Sequence, residues 1–250
     1  NHSCNLWFIQ AAETLKPQIF YDYIQAFGFT QPTGIDLPNE TRWTSVYNAE
    51  QMAEVDTNLY TAAFGQNESI TPMQMATAVA AIANGGYLVT PYVVDSVTDK
   101  DGNIVTQTET SIRRQVISEE VSRQLLSMME NNVHGEGNYH SCANAYVAGY
   151  RIGGKSGTAQ KLNKQDEEVE RYIFSYFVFA PVDDPQVAAL ILVDEATSGA
   201  EYANTVVAPT AAALMSDLLP YLGIQAQYSE TDSELQDVSI PGGLIGTDPL

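Results

Sequence analysis

The segment from Pro72 to Asn84 constrains the fold most, because it reads as a helix that is apolar on nearly every side. Thr71 is placed to be its N-cap, Pro72 takes the first helical position, and Gln74 completes a capping box. The body that follows consists mainly of Met, Ala, Val and Ile, and Gly85-Gly86 ends it. A helix without a polar face has to be buried on several sides. The chain therefore needs further layers of structure around this segment.

Helical spacing of apolar residues predicts three more helical regions, over residues 5–28, 118–133 and 206–222. Pro17 should kink or split the first region, and Gly28 is a suitable C-terminal stop. Ser118 is expected to cap the second region. Residues 29–58 carry Pro, Gly and Asn at turn positions and are predicted to be loop.

Strand patterns occupy the remainder of the chain. Residues 87–106 are predicted to form a hairpin that turns at Asp101-Gly102-Asn103. Further strand-like runs cover residues 146–161, 172–180 and 187–193. The order of helices, hairpin, helix, antiparallel strands and helix indicates an α+β fold with helices packed on an antiparallel sheet.

Composition excludes several classes of function. The chain holds 31 acidic residues against 11 Lys and Arg, a net charge of −20, which repels nucleic acid and anionic lipid. No apolar run reaches the ~18 residues of a membrane span. The chain starts without Met and without a signal-peptide pattern, which favours a processed or excised piece of a longer protein. Two cysteines, Cys4 and Cys142, are too few for a disulfide framework.

A cation, two hydroxyls and a glycine lie together in Lys155-Ser156-Gly157-Thr158. On a strand, Lys155 and Gly157 would point one way and Ser156 and Thr158 the other. A glycine on an exposed edge lets a substrate backbone pair as an added strand, with the Lys and hydroxyl groups holding a carboxylate. Taken alone, the tetrapeptide also fits a polar edge strand with a solvated lysine.

Other polar clusters carry less information. Ser3 or Asn5, in Ser3-Cys4-Asn5, would serve as an ordinary helix N-cap. His134, His140 and Cys142 share one Gly- and Asn-rich stretch, but their spacing fits no standard zinc pattern. We expect neither a metal nor a cofactor.

In combination these signals resemble the C-terminal part of the transpeptidase domain of class B penicillin-binding proteins. Ser3-Cys4-Asn5 is similar to the family's second motif, Ser-x-Asn. Lys155-Ser156-Gly157 is similar to its third, Lys-Ser/Thr-Gly, and begins 152 positions later, the usual interval. Further matching segments lie at 27–29, 33–38, 64–66, 71–74, 83–86 and 176–181.

The resemblance runs from Asn1 to about Gly223 and implies the penicillin-binding and serine β-lactamase-like fold, incomplete at its N-terminus. We therefore divide the chain into residues 1–223, the C-terminal part of a transpeptidase domain, and residues 224–250. The second segment is acidic and turn-rich, and we expect a linker or the start of a C-terminal module.

One departure concerns the family's first motif. No Ser-x-x-Lys, which supplies the nucleophile and its activating lysine, occurs in the 250 residues. Because the other motifs are intact, we expect truncation and an inactive isolated chain. The resemblance implies acyl transfer from D-Ala-D-Ala stem peptides and covalent penicillin binding in the full-length protein.

The resemblance also implies a role for each matching residue. Ser3 would relay a proton, Asn5 would orient the substrate amide, and Lys155 would support proton transfer. Ser156 and Thr158 would bind the terminal carboxylate beside Gly157, and the N–H of Thr158 would form half of an oxyanion hole.

Implied partners are stem peptides, β-lactams and other cell-wall synthesis proteins. The implied location is the outer face of the bacterial cytoplasmic membrane, through an N-terminal anchor not in this chain. Two alternatives stay open. One is a non-catalytic scaffold of the wall-synthesis complex, and the other is a β-lactam receptor or hydrolase of the same fold.

Overall fold

The computed structural model describes residues 3–41, 44–134, 142–161, 171–197 and 202–226. The chain divides into two compact units. The helical unit is Cys4–Ser122, and the sheet unit is Asn1–Ser3 with Arg123–Leu250. Helices and antiparallel strands are both present, so the predicted α+β class is confirmed. Within the described residues, no helix is long and apolar enough to cross a membrane.

The helical unit contains four helices among its described residues: α1 (Asn5–Ala26), α2 (Ala49–Glu54), α3 (Asp56–Ala63) and α4 (Pro72–Ala83). The predicted break in α1 is confirmed, because Lys16, just before Pro17, leaves the helical conformation with φ of 67°. Gly28, with φ of +87°, follows the helix end as expected. Apolar side chains of α1, α2 and α3 form the core of this unit, namely Ala12, Ile24, Met52, Leu59 and Ala62.

The loop prediction for residues 29–58 is wrong over α2 and the start of α3. Asn48 caps α2 through a capping box. Its side-chain oxygen accepts from the Gln51 N–H at 2.8 Å, and the Gln51 side-chain oxygen accepts from the Asn48 N–H at 2.9 Å. This pair was the available sequence signal. The six-residue α2 is too short to show a clear apolar stripe.

Helix α4 begins at Pro72 as predicted and ends at Ala83, one residue before the predicted end, and the Thr71–Gln74 capping box is present. Gln74 is buried, and its amide also donates to the carbonyl oxygens of Phe29 and Gln31, at 3.2 and 2.8 Å. The side chain thus ties the helix start to the loop after α1, and its buried polar atoms are satisfied.

The predicted hairpin is confirmed in part. Strands β2 (Ser96–Thr98) and β3 (Ile104–Gln107) pair around the expected turn. Strand β1 (Tyr87–Thr90) instead pairs antiparallel with β4 (Ser111–Gln115), a partner that the sequence analysis did not identify. Helix α5 (Glu119–His134) then begins in the helical unit and continues as the first long element of the sheet unit. Ser118 caps it as predicted, accepting from the Val121 N–H at 3.2 Å.

The sheet unit contains β5 (Gly153–Gln160), β6 (Tyr172–Ala180) and β7 (Val187–Asp194), antiparallel in that order. The predicted strands β6 and β7 are confirmed. The strand predicted over residues 146–152 is wrong: a 3₁₀ turn at Ala143–Ala145 and irregular chain precede β5.

One face of the sheet packs against α6 (Ala203–Val206) and α7 (Ala208–Tyr221). These helices occupy the region of the predicted last helix, with an interruption at Val207. The shared core includes Ile152, Phe174, Tyr176, Val178, Met215 and Leu219. From residue 227 onward, the predicted linker or module lies outside the described residues.

Candidate functional site

Strand β5 has one open edge. Among the described strands, it pairs only with β6. The N–H of Lys161 donates to the carbonyl of Arg171 at 2.7 Å, so odd-numbered residues of this run bond to β6. Neighbouring residues of an antiparallel strand direct their backbone groups to opposite sides. Gly154, Ser156 and Thr158 therefore turn their N–H and C=O groups toward the open edge.

Lys155 is partly buried, and its ammonium reaches this edge. Its Nζ donates to the outward carbonyl of Ser156 at 2.6 Å. Burial lowers the pKa of Lys155 below its usual value, and the Cys142 sulfur acts in the opposite direction. Within the described part of the chain, no carboxylate forms an ion pair with Lys155. A desolvated cation at an open strand edge can take an anionic ligand or exchange a proton.

The hydroxyls of Ser156 and Thr158 lie on the same face of β5, as predicted. Thr158 Oγ1 accepts from the Ala203 N–H at 3.3 Å. Ser156 Oγ accepts from the Cys142 thiol, with the sulfur and oxygen atoms 3.8 Å apart. Both oxygens act as acceptors in these contacts, so within the described residues both O–H groups can still donate. Two such donors can bind a carboxylate.

Glycines keep β5 close to β6. A Cβ at Gly153 would lie 2.2 Å from the Phe179 ring, and one at Gly154 would lie 2.5 Å from the Tyr176 hydroxyl. A Cβ at Gly157 would lie 2.5 Å from Ser175 Oγ. The glycines before Lys155 are therefore needed because a larger side chain would clash with Phe179 or Tyr176 and push β5 away from β6.

Ser3 and Asn5 flank the start of α1 and are both exposed. The alternative that either one is an ordinary N-cap is wrong, because Cys4 is the N-cap and no side chain caps the helix. Ser3 has φ of 47°, in the left-handed region that a serine rarely occupies. Ser3 belongs to the sheet unit, as Lys155 does, and Asn5 belongs to the helical unit. Strained backbone of this kind concentrates at functional positions.

A metal was not expected near the histidines, and His2 and His140 lie outside the described residues. His134 Nε2 accepts from the Ile152 N–H at 3.2 Å, which requires a neutral imidazole with its proton on Nδ1. Within the described residues, no group of three or more His, Cys, Asp or Glu could hold a metal ion.

Asn132, Cys142 and Tyr176 support β5, although none of them was predicted from the sequence as a site residue. Asn132 is buried on α5, and its Nδ2 donates to the Gly154 carbonyl at 3.1 Å. Its position beside Val133 on the buried stripe was the available signal, since a buried polar side chain needs a partner.

Known proteins share this sequence pattern and this architecture. A family model described as the penicillin binding protein transpeptidase domain matches residues 1–216. The TP domain of Burkholderia pseudomallei penicillin-binding protein 3 superposes with a TM-score of 0.76 at 25% identity. The match covers 90% of this chain and 63% of that one.

Two curated relatives share sequence over most of the chain. Stage V sporulation protein D of Bacillus subtilis (strain 168) is 38% identical over 240 residues, covering 94% of this chain. Peptidoglycan D,D-transpeptidase FtsI of Escherichia coli (strain K12) is 25% identical over 232 residues, covering 89%. This chain spans 35% of the length of each of these two relatives.

Proposed function

The chain belongs to the penicillin-binding protein transpeptidase domain family, and from this premise we propose that it supplies the second and third motifs of a peptidoglycan D,D-transpeptidase. The observation that carries the proposal is the open edge of β5. That edge presents the Lys155 ammonium, the outward N–H of Thr158 and two hydroxyl donors along a few residues of one strand.

The proposed reaction is acyl transfer in two covalent steps. A serine attacks the carbonyl carbon of the penultimate D-Ala, and the last D-Ala leaves with its amine protonated. The amine of a second stem peptide then attacks the acyl-enzyme and releases the serine. Division into two steps lowers each barrier. The serine and its lysine belong to a Ser-x-x-Lys motif, which these 250 residues do not contain.

The open edge suits the electrophile in this reaction. A stem peptide that lies along β5 as an added strand brings its scissile carbonyl to the Thr158 N–H. The negative charge that develops on the carbonyl oxygen is then stabilised by a fixed donor. Loss of one such donor typically lowers kcat by ~10²–10³-fold. The terminal carboxylate of the peptide accepts hydrogen bonds from the O–H groups of Ser156 and Thr158.

Three side chains serve proton transfer and orientation in this proposal. Lys155 keeps the site electropositive within an acidic chain and supports proton transfer. Ser3 relays a proton toward the leaving amine, and Asn5 hydrogen-bonds the substrate amide. The left-handed backbone and exposure of Ser3 agree with a presented side chain.

β-Lactams are proposed to bind the same edge, because they mimic the D-Ala-D-Ala end and leave a slow acyl-enzyme. Other cell-wall synthesis proteins are proposed partners. The outer face of the cytoplasmic membrane is the proposed location, since the substrate is extracytoplasmic peptidoglycan.

Intact mass after incubation with penicillin tests the proposal. Two samples are compared: this chain, and the same gene's product extended upstream through any Ser-x-x-Lys. We expect one penicillin adduct on the extended protein and none on this chain. The absence of an adduct on both would overturn the catalytic proposal and favour the scaffold.

A further inference from the structure

The last turn of α5 closes the first part of the β5 edge. Asn132 Nδ2 donates to the Gly154 carbonyl at 3.1 Å, and His134 Nε2 accepts from the Ile152 N–H at 3.2 Å. Ile152 and Gly154 are even-numbered, so both groups face the open side of the strand. Among the described residues, side chains therefore occupy this edge through Gly154, and the edge is open from Ser156 onward.

Asn132 is itself held in place. Its backbone carbonyl accepts from the Cys142 N–H at 3.1 Å, and the Tyr176 hydroxyl donates to the Cys142 carbonyl at 3.4 Å. Asn132, Cys142 and Tyr176 are all buried, with 6%, 0% and 0% of their surface exposed. The Cys142 sulfur also contacts Ser156 Oγ. A hydrogen-bonded path through the buried residues Asn132 and Cys142 thus connects α5 with Gly154 and Ser156, on either side of Lys155.

The Asn132 contact acts on the peptide group that carries Lys155. The Gly154 carbonyl and the Lys155 N–H belong to one planar peptide unit, so a donor fixed on that carbonyl fixes the orientation of the unit. Gly153 and Gly154 precede Lys155, and glycine has more backbone freedom than any other residue. Pairing with β6 restricts this freedom on one side of the strand, and the Asn132 contact restricts it on the other, where the Lys155 side chain turns toward the Ser156 carbonyl.

We propose that Asn132 is a positioning residue: its side-chain N–H, on the Gly154 carbonyl, sets the pose of Lys155 at the open edge of β5. His134 supports the same clamp through Ile152. The proposal rests on the proposed function for its catalytic consequence, and on the contacts within the sheet unit for its structural part.

The test uses the same gene's product, extended upstream through any Ser-x-x-Lys motif, and a fluorescent penicillin. Asn132→Asp keeps the side-chain shape but replaces the donor with an oxygen. Asn131→Asp is the matched control, because it makes the same change at the exposed neighbouring residue of α5. We expect Asn132→Asp to lower the acylation rate constant by about 10–100-fold, because a misplacement of about 1 Å can cost up to ~10²-fold. The dissociation constant of the initial complex should change little.

Asn132→Ala, which also lacks the donor, should match Asn132→Asp. An acylation rate constant of Asn132→Asp equal to that of the Asn131→Asp control would overturn the proposal. A parallel loss of rate constant and initial binding would show a merely structural role and would also overturn it.

Hydrogen exchange on the unmodified 250-residue chain decides the structural part without mutation or acylation. The Asn132 Nδ2 protons and the Ile152 amide should exchange far more slowly than the outward amide of Thr158. Equal rates would overturn the clamp, even if the variants do not fold. If the extended wild-type protein forms no adduct, the proposed function fails, and these exchange rates still decide whether the clamp exists.

Discussion

Lys155 lies near the start of β5 and Lys161 directly follows its end, and the two lysines have opposite environments. Lys161 bonds to Glu195 and Asp194 at 2.7 and 2.9 Å, and these carboxylates raise its pKa. Lys155 is partly buried, donates to a backbone carbonyl, and has a lowered pKa because of its burial. A lysine with satisfied charge is typical of a structural role. A desolvated lysine that forms no ion pair with a carboxylate is typical of a site that binds an anionic ligand.

The largest expected effect is on acylation. In the extended protein, Lys155→Met should lower the rate constant of penicillin acylation by about 10²–10⁴-fold, because the proton-transfer group is lost. Lys161→Met is the matched control, since the same change at the far end of the run should leave the rate constant nearly unchanged. Stopped-flow or gel-based measurement with fluorescent penicillin gives both values. Equal losses in the two variants would contradict the distinction between the two ends.

The contrast between the lysines was only partly predictable from sequence. The strand boundaries of β6 and β7 and the alternation of Ser156 and Thr158 follow from local pattern, which a single segment carries. The partners of Lys161 are the last residue of β7 and the residue after it, more than 30 positions away, and local pattern does not encode them. The motif resemblance identified Lys155, whereas composition and spacing alone also fitted a solvated lysine.

Elements whose definition depends on distant contacts were the ones missed. The short helix α2 needs its Asn48–Gln51 cap and the burial of Met52 in the core with α1 and α3. Residues 146–152 carry strand-forming side chains, yet Val147 is buried in the core that α6 and α7 also line. Tertiary packing there overrides the local preference.

The glycines sharpen the comparison along β5. Gly153→Ala places a Cβ 2.2 Å from the Phe179 ring within the buried sheet. We expect it to lower the free energy of unfolding by about 1–3 kcal/mol, as overpacking does. Gly157→Ala meets only Ser175 Oγ within hard contact, and a serine side chain can rotate away. Its effect on urea-induced unfolding should be clearly smaller, and an equal effect would contradict the difference in packing.

Two glutamates of the helical unit, Glu40 and Glu68, show the same contrast between a satisfied and an unsatisfied charged group. Glu40 accepts from the Thr33 N–H, the Thr33 hydroxyl and the Gly34 N–H, and its pKa is lowered although burial opposes the shift. Glu68 Oε1 is buried without a hydrogen-bond partner in the described structure, and burial raises the pKa of Glu68 to about 7. Ionised Glu68 therefore opposes folding.

The sign follows from the raised pKa. Near pH 4 Glu68 is mostly protonated in both states, and its titration changes stability little. As pH rises from about 4.5 to 7, the unfolded chain releases the proton first, so folding stability falls. Glu68→Gln should then be more stable than wild type above pH 7 by about 1–2 kcal/mol, with no difference near pH 4. Urea unfolding across pH measures this, with exposed Glu54→Gln as control. A constant difference at all pH values would contradict the assignment.

The smallest expected effect has opposite signs at the two lysines. Charged Lys155 is disfavoured by burial, so Lys155→Met should raise the free energy of unfolding at pH 7 by about 1 kcal/mol or less, the range of stabilising changes at functional sites. Lys161→Met removes two ion pairs and should lower it slightly. Guanidinium would screen these charges, so urea unfolding at low salt is the proper measurement. If both substitutions changed the free energy of unfolding in the same direction, burial of the ammonium would not be what distinguishes Lys155 from Lys161. A carboxylate-binding site left open at Lys155 would then lack support.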